Sequence, residues 1–214
     1  MTIKHHLSDE LLMAYAAADL PEAFNLVIAA HLSMCDECRA RSMAFDALGG
    51  AVIEDSTCEM SAGSLEACMA RISELPQAQV PEVRRTDAVL PAPLLDYVGG
   101  GLEAVKWRSL GMGVRQAILR IGDRGASARL LYIPAGAAMP DHGHRGLELT
   151  LVLQGAFRDE ADRFGRGDIE IADASVEHTP VAEAGADCIC LAATQGALKF
   201  NALLPRLAQP FFRI

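Results

Sequence analysis

Three soft or borderline donors stand in the pattern His31-x-x-x-Cys35-x-x-Cys38. Spacings of i, i+4 and i+7 bring such side chains to one side of a helix and the turn that follows it. Thiolate and imidazole together suit zinc, which takes four donors in a tetrahedron. His6 is the expected fourth donor, with His5 as the adjacent alternative. A metal joining His6 to His31 would pin the segment before the first helix against the second. With four protein donors no position is left for water, so the role of such a site is structural. Ordinary core thiols are the competing reading. A thioredoxin-like redox pair would need a strand–helix–strand setting, which the surrounding residues do not supply.

A second constellation lies far along the chain, at His142-x-His144-x-x-x-Glu148, flanked by Gly136 and Gly155. On a strand, residues 142 and 144 point to the same side, and Glu148 on the next strand can complete a facial set. His178, after Gly167, is the remaining histidine available as a fourth donor. Three imidazoles and a carboxylate suit zinc, iron, manganese or nickel, so the set names a class of metal rather than one. Cys188 and Cys190, two apart on an expected strand, should share a face. They are either small core-filling residues or reactive thiols near the second ion. Asp141 and Glu177, each adjacent to a donor, either orient an imidazole or are solvated carboxylates.

The elements that carry these donors differ between the two halves. Ser8 can cap a helix opened by Asp9 and Glu10, with Leu11, Leu12, Tyr15 and Ala16 as its apolar stripe. Pro21 opens a second helix bearing Phe24, Val27, Ile28, His31 and Leu32 at helical spacing. A third should run from Asp36 to Leu48 and stop at Gly49-Gly50, and a fourth carries Leu65, Cys68, Met69, Ile72 and Leu75. Prolines at 76, 81, 91 and 93 oppose both helix and central strand and mark a linker. Beyond it the period becomes that of strands, at 114–120, 128–133, 147–153, 168–171 and 187–193, which implies a sandwich or small barrel. The expected organisation is α + β in two domains: a helical bundle over 1–75, a linker over 76–99, a β-barrel over 100–195 and a tail over 196–214.

Composition narrows the function classes. At 214 residues, 51% hydrophobic and 22% charged, the chain has a core to bury and is not disordered. The net charge of −9 leaves no basic face for phosphates, so direct DNA binding is disfavoured. The first 85 residues hold 6 basic and 13 acidic side chains, so the acidity is concentrated in the helical half and favours a basic protein partner. No window approaches the roughly 20 apolar residues of a membrane span, and the start lacks an apolar signal core, which implies a cytoplasmic protein. Six cysteines in that reducing compartment are expected to be ligands or thiols.

The order His6, 24 residues, His31, Cys35, Cys38 resembles the pattern of zinc-binding anti-sigma factors. Gly136, His142, His144, Glu148 and Gly155 match the first cupin motif at every fixed position. The second cupin motif is looser: Gly167 and His178 match, while Asp173, Ser175 and Ala182 replace the usual proline, glycine and asparagine. The two together resemble the ChrR-like anti-sigma factors. That resemblance implies a non-enzymatic regulator whose helical domain lodges between the promoter-reading domains of an extracytoplasmic-function-type sigma factor. It implies structural zinc in the helical domain and a second divalent metal in the cupin domain, zinc in purified protein. It further implies a cupin domain needed to respond to singlet oxygen or related oxidants, and release in which an intracellular protease takes part. The alternative is a cupin metalloenzyme, such as a small-molecule dioxygenase, with the helices as a dimerisation or regulatory module.

Overall fold

The first helix, α1 (Asp9–Ala16), begins where Ser8 accepts the Leu11 N–H on its hydroxyl at 3.3 Å, with Asp9 and Glu10 at the positive end of the dipole. Helix α2 (Glu22–Met34) follows Pro21 and buries Phe24, Val27, Ile28 and His31. Cys35 ends α2 and caps α3 (Asp36–Asp55), its sulfur accepting the Cys38 N–H at 3.4 Å. Helix α4 (Ser64–Glu74) buries no residue at all. In this computed structural model, residues 2–75, 87–122, 125–196 and 199–200 are described.

Two expectations need correction. Helix α3 does not stop at Gly49-Gly50 but continues to Asp55. Neither glycine adopts a positive φ. A mid-helix glycine costs only about 1 kcal/mol relative to alanine, and good helix formers on both sides carry the helix through. The proline-bearing segment also contains a helix, α5 (Ala92–Val98), entered from Pro91, with Leu94 and Leu95 buried against α2. Proline suits the first turn because its absent N–H would have no partner there. The stretch 76–86 of the expected linker and 201–214 of the expected tail lie outside the described residues.

After a 3₁₀ turn at Leu102–Ala104 the chain forms strands β1 (Arg108–Gly111), β2 (Val114–Ile118), β3 (Ala126–Ile133), β4 (His142–Gly143), β5 (Glu148–Gln154), β6 (Ala156–Arg158), β7 (Arg163–Gly165), β8 (Ile169–Ala172), β9 (Glu177–His178), β10 (Val181–Ala182), β11 (Cys188–Gln195) and β12 (Lys199–Phe200). Six of them form an antiparallel sheet in the order β1-β2-β3-β11-β5-β8. Two three-stranded sheets, β10-β6-β7 and β12-β4-β9, complete the barrel. The architecture is therefore α + β, with helices before a cupin-type barrel.

Alternation along the central strands divides their side chains between two environments. On β11, Ile189, Leu191 and Ala193 join one hydrophobic core with Phe24, Val27 and Ile28 of α2. On β5, Leu149, Leu151 and Leu153 do the same. The opposite face of β11 sends Cys188 and Cys190 into a second cluster with Phe157 and Phe164 inside the barrel. Each fully buried leucine or phenylalanine contributes about 1.5–3 kcal/mol, so α2 lies on the sheet as an integral layer. The four cupin donors belong to β4, β5, β9 and the β4–β5 connection, where the short sheet meets the long one.

Candidate metal centres

The turn between α2 and α3 brings together His6, His31, Cys35 and Cys38, each offering one donor atom within 4.8 Å of all the others. His6 Nδ1 stands 3.3 Å from the Cys35 sulfur and 3.6 Å from that of Cys38. His5 points elsewhere: its Nε2 meets Asp162 at 3.1 Å and its ring packs on Phe164, with centroids 4.4 Å apart. Of the two neighbouring histidines, His6 is the one in the group.

His31 is fully buried, and its Nδ1–H donates to the Gly167 carbonyl at 3.0 Å. That bond fixes the tautomer and leaves a lone pair on Nε2, a buried atom with no hydrogen-bond partner. An orphaned buried nitrogen facing two thiols and a second imidazole fits a cation. Burial pushes the His31 imidazole down to about 4, against a smaller upward pull from Gly167, so the ring is neutral at pH 7 as a ligand must be. Burial pushes the Cys38 thiol up to about 11.

His142, His144, Glu148 and His178 form the second group, all buried and also within 4.8 Å of one another. The His142 Nδ1–H donates to the Pro140 carbonyl at 2.8 Å, which aims Nε2 inward. The Nε2 atoms of His144 and His178 face each other at 3.3 Å, and His144 Nδ1 lies 3.4 Å from Glu148. Burial raises the Glu148 carboxyl, but the three imidazoles outweigh it and hold the group lowered, hence ionised. Three neutral-capable nitrogens and one carboxylate are a set that fits a divalent ion.

Two carboxylates escaped the sequence reading. The His178 Nδ1–H faces Asp159 at 3.0 Å and Glu170 at 2.9 Å. Burial alone would lower the His178 imidazole, yet these carboxylates raise it to about 9. Such partners fix the orientation of a ligating imidazole and increase its basicity. The available signal was Glu170 itself, a carboxylate between two isoleucines on a strand and opposite Thr150 on the inward side. Asp141 and Glu177, considered for that task from their position in the chain, are exposed. Cys188 and Cys190 do share a face, with sulfurs 3.5 Å apart, and both are buried.

Outside these groups the helices carry an unusual surface. Leu48, Val52 and Ile53 of α3 and Leu65, Met69 and Ile72 of α4 are all more than half exposed. Residues 65, 69 and 72 recur at helical spacing, so α4 presents one apolar face to solvent.

Residues 99–198 match the ChrR cupin-like domain family. The chain is 65% identical over 215 residues to the anti-sigma-E factor ChrR of Cereibacter sphaeroides, with 100% of both chains covered. It belongs to the ChrR anti-sigma factor family. A crystal structure of Rhodobacter sphaeroides SigE in complex with the anti-sigma ChrR is similar at TM-score 0.79 and 63% identity, covering 91% of this chain and 100% of that one. An RmlC-like cupin of Ralstonia eutropha is similar at TM-score 0.42 and 28% identity, over 48% of this chain and 71% of that one. This ChrR family member carries its helices before the barrel, and its barrel brings three histidines and Glu148 together. Among the described residues no helix is long and apolar enough to cross a membrane.

Proposed function

We propose that this chain is a cytoplasmic anti-sigma factor that holds an extracytoplasmic-function-type sigma factor and releases it under oxidative stress, with singlet oxygen as the leading signal. Its role is regulatory, not enzymatic, and it does not bind DNA directly. The observation that carries the proposal is the apolar face of α4, continuous in character with the distal half of α3 and exposed rather than buried. A helix whose only apolar face is exposed is a ready docking surface for a groove on a partner. The acidic excess of the first 85 residues complements the basic surfaces a sigma factor uses for DNA. The similarity to a ChrR seen in complex with SigE supports the same partner class.

In this reading residues 1–75 do the holding and 100–195 receive the signal, with α5 packed on α2 between them and β12 (Lys199–Phe200) paired to β4 of the barrel. His6, His31, Cys35 and Cys38 hold a structural zinc ion that ties the segment before α1 to the α2–α3 turn. With both thiolates and both imidazoles engaged, it serves as a fixed crosslink. His142, His144, Glu148 and His178 hold a second divalent ion, zinc in purified material. Cys188 and Cys190 are the candidate thiols for oxidation beside it. Converting a mostly bound complex to a mostly free one takes about 5.5 kcal/mol of differential binding, so a local oxidation is amplified by metal loss, unfolding or cleavage by an intracellular protease.

The test is co-expression of the chain with the sigma factor encoded beside it, followed by co-purification and metal analysis of the complex. A stable complex with two metal equivalents is expected. His142→Ala, with its sigma binding retained and its oxidant response lost, is the variant that separates holding from sensing. Failure of the wild-type chain to retain the sigma factor would overturn the proposal.

A further inference from the structure

The turn that joins β7 to β8, together with the start of β8, is bonded to both metal groups. Asp168, buried at the end of the turn, accepts the backbone N–H groups of Lys4 at 2.6 Å and His5 at 3.0 Å on one carboxylate oxygen, and that of Gly165 at 2.8 Å on the other. The Ile169 N–H adds a bond to the His5 carbonyl at 3.4 Å. These contacts fasten the backbone that carries His6. One residue earlier, the Gly167 carbonyl holds His31 through Nδ1. Gly167 has φ +89°, and a Cβ there would stand 2.7 Å from the Ile3 side chain, so only glycine lets the N-terminal segment lie this close. Two residues after Asp168, Glu170 holds His178 of the barrel group. The turn is anchored to the barrel independently, by the Gly167 N–H on the Val152 carbonyl at 2.8 Å and the Val152 N–H on the Asp168 carbonyl at 3.1 Å.

Four consecutive residues therefore touch one imidazole of each group and the backbone next to a third. Two donors of the helical group, His6 and His31, owe their positions to the barrel and not to the helices alone. We propose that residues 167–170 act as a clasp coupling the two metal groups, with Asp168 as its positioning residue, so that the state of the barrel group sets how firmly the thiolate group keeps its ion. The proposal rests on the two ligand sets given under Proposed function. When His178 on β9 shifts, Glu170 on β8 follows it, and Asp168 and Gly167 in the turn just before β8 carry that movement to the backbone beside His6 and to His31. Loss of either contact removes a bond that orients a ligand, a change that typically weakens metal retention about 10–100-fold.

Cobalt(II) separates the two groups, because only the one containing Cys35 and Cys38 gives a thiolate-to-metal charge-transfer band. The full-length chain is loaded with cobalt(II), and loss of that band to excess EDTA is timed in four forms: wild type, His142→Ala, Asp168→Ala and the double variant. The expected result is that His142→Ala speeds the loss about tenfold in the wild-type background. Asp168→Ala should speed it by itself, and adding His142→Ala to it should change the rate less than twofold. Equal acceleration by His142→Ala in both backgrounds, or none in the wild type, would overturn the clasp while leaving the ligand sets standing. Absence of the charge-transfer band in cobalt-loaded wild type would overturn the ligand set and the clasp together. Asp168→Asn, which keeps the shape and one accepting oxygen, replaces Asp168→Ala in the same cycle if the alanine variant does not fold, with the same criteria.

Discussion

Ile72 offers a direct measure of how much the exposed face of α4 contributes to holding a sigma factor. Its side chain is 55% exposed, and α4 has no buried residue. Full burial of an isoleucine is worth about 1.5–3 kcal/mol, so covering the exposed half on binding contributes about 1 kcal/mol. Ile72→Ala should therefore weaken the complex about fivefold. Ile72→Asp removes the same area and also forces a carboxylate into the interface, adding about 2 kcal/mol, for a total near 3 kcal/mol and a loss of about a hundredfold. Titration calorimetry against the purified sigma factor reads the affinity, and a far-UV thermal melt of the free chain reads the fold. The melting temperature should stay within about 2 °C of wild type, since a surface substitution is worth at most about 0.5 kcal/mol. Wild-type affinity for Ile72→Asp would refute the docking argument. A large fall in melting temperature would show that α4 is packed in solution.

Other consequences follow from the buried groups. Leu191→Ala, at the face of β11 under α2, should cost about 2–5 kcal/mol, and helix and sheet signals should be lost in one transition when followed by far-UV and near-UV dichroism. Glu170→Gln should reduce metal retention in the barrel about 10–100-fold in a competition titration with a chelator, because the group facing His178 loses its charge. The helical group should bind zinc more tightly as pH rises through neutrality. Cys38, held up at about 11, must surrender its proton to the ion, whereas His31, held down at about 4, has none to give at pH 7. The expected slope is at least about tenfold in affinity per pH unit for that thiol, read by competition titration between pH 6 and 8, and a flat profile would count against thiolate ligation.

Much of this was legible from residue types and spacing. The His31, Cys35 and Cys38 pattern works at short range, because helix geometry alone sets where i, i+4 and i+7 point, and the structure gathers those three with His6. The His142, His144 and Glu148 set needed only strand alternation and one turn. What was not legible is long-range. Nothing local to Asp159 or Glu170 says that they converge on His178, since they approach from separate strands and connections. Likewise the apolar stripe of α2 announced a buried face without saying that the barrel would cover it. Gly49-Gly50 misled for the opposite reason: glycine permits a helix end, and where no residue in the left-handed conformation and no neighbouring chain enforces one, the helix runs on.

The shared layer formed by α2 on the outer face of β11 and β5 has an evolutionary corollary. The barrel cannot be exchanged for another simply by splicing at the connecting segment, because the incoming sheet would have to reproduce the relief that Phe24, Val27 and Ile28 are cut to fit. A side chain changed on the outer face of β11 or β5 therefore meets α2 directly, whereas Cys188 and Cys190 on the inner face lie in a separate cluster.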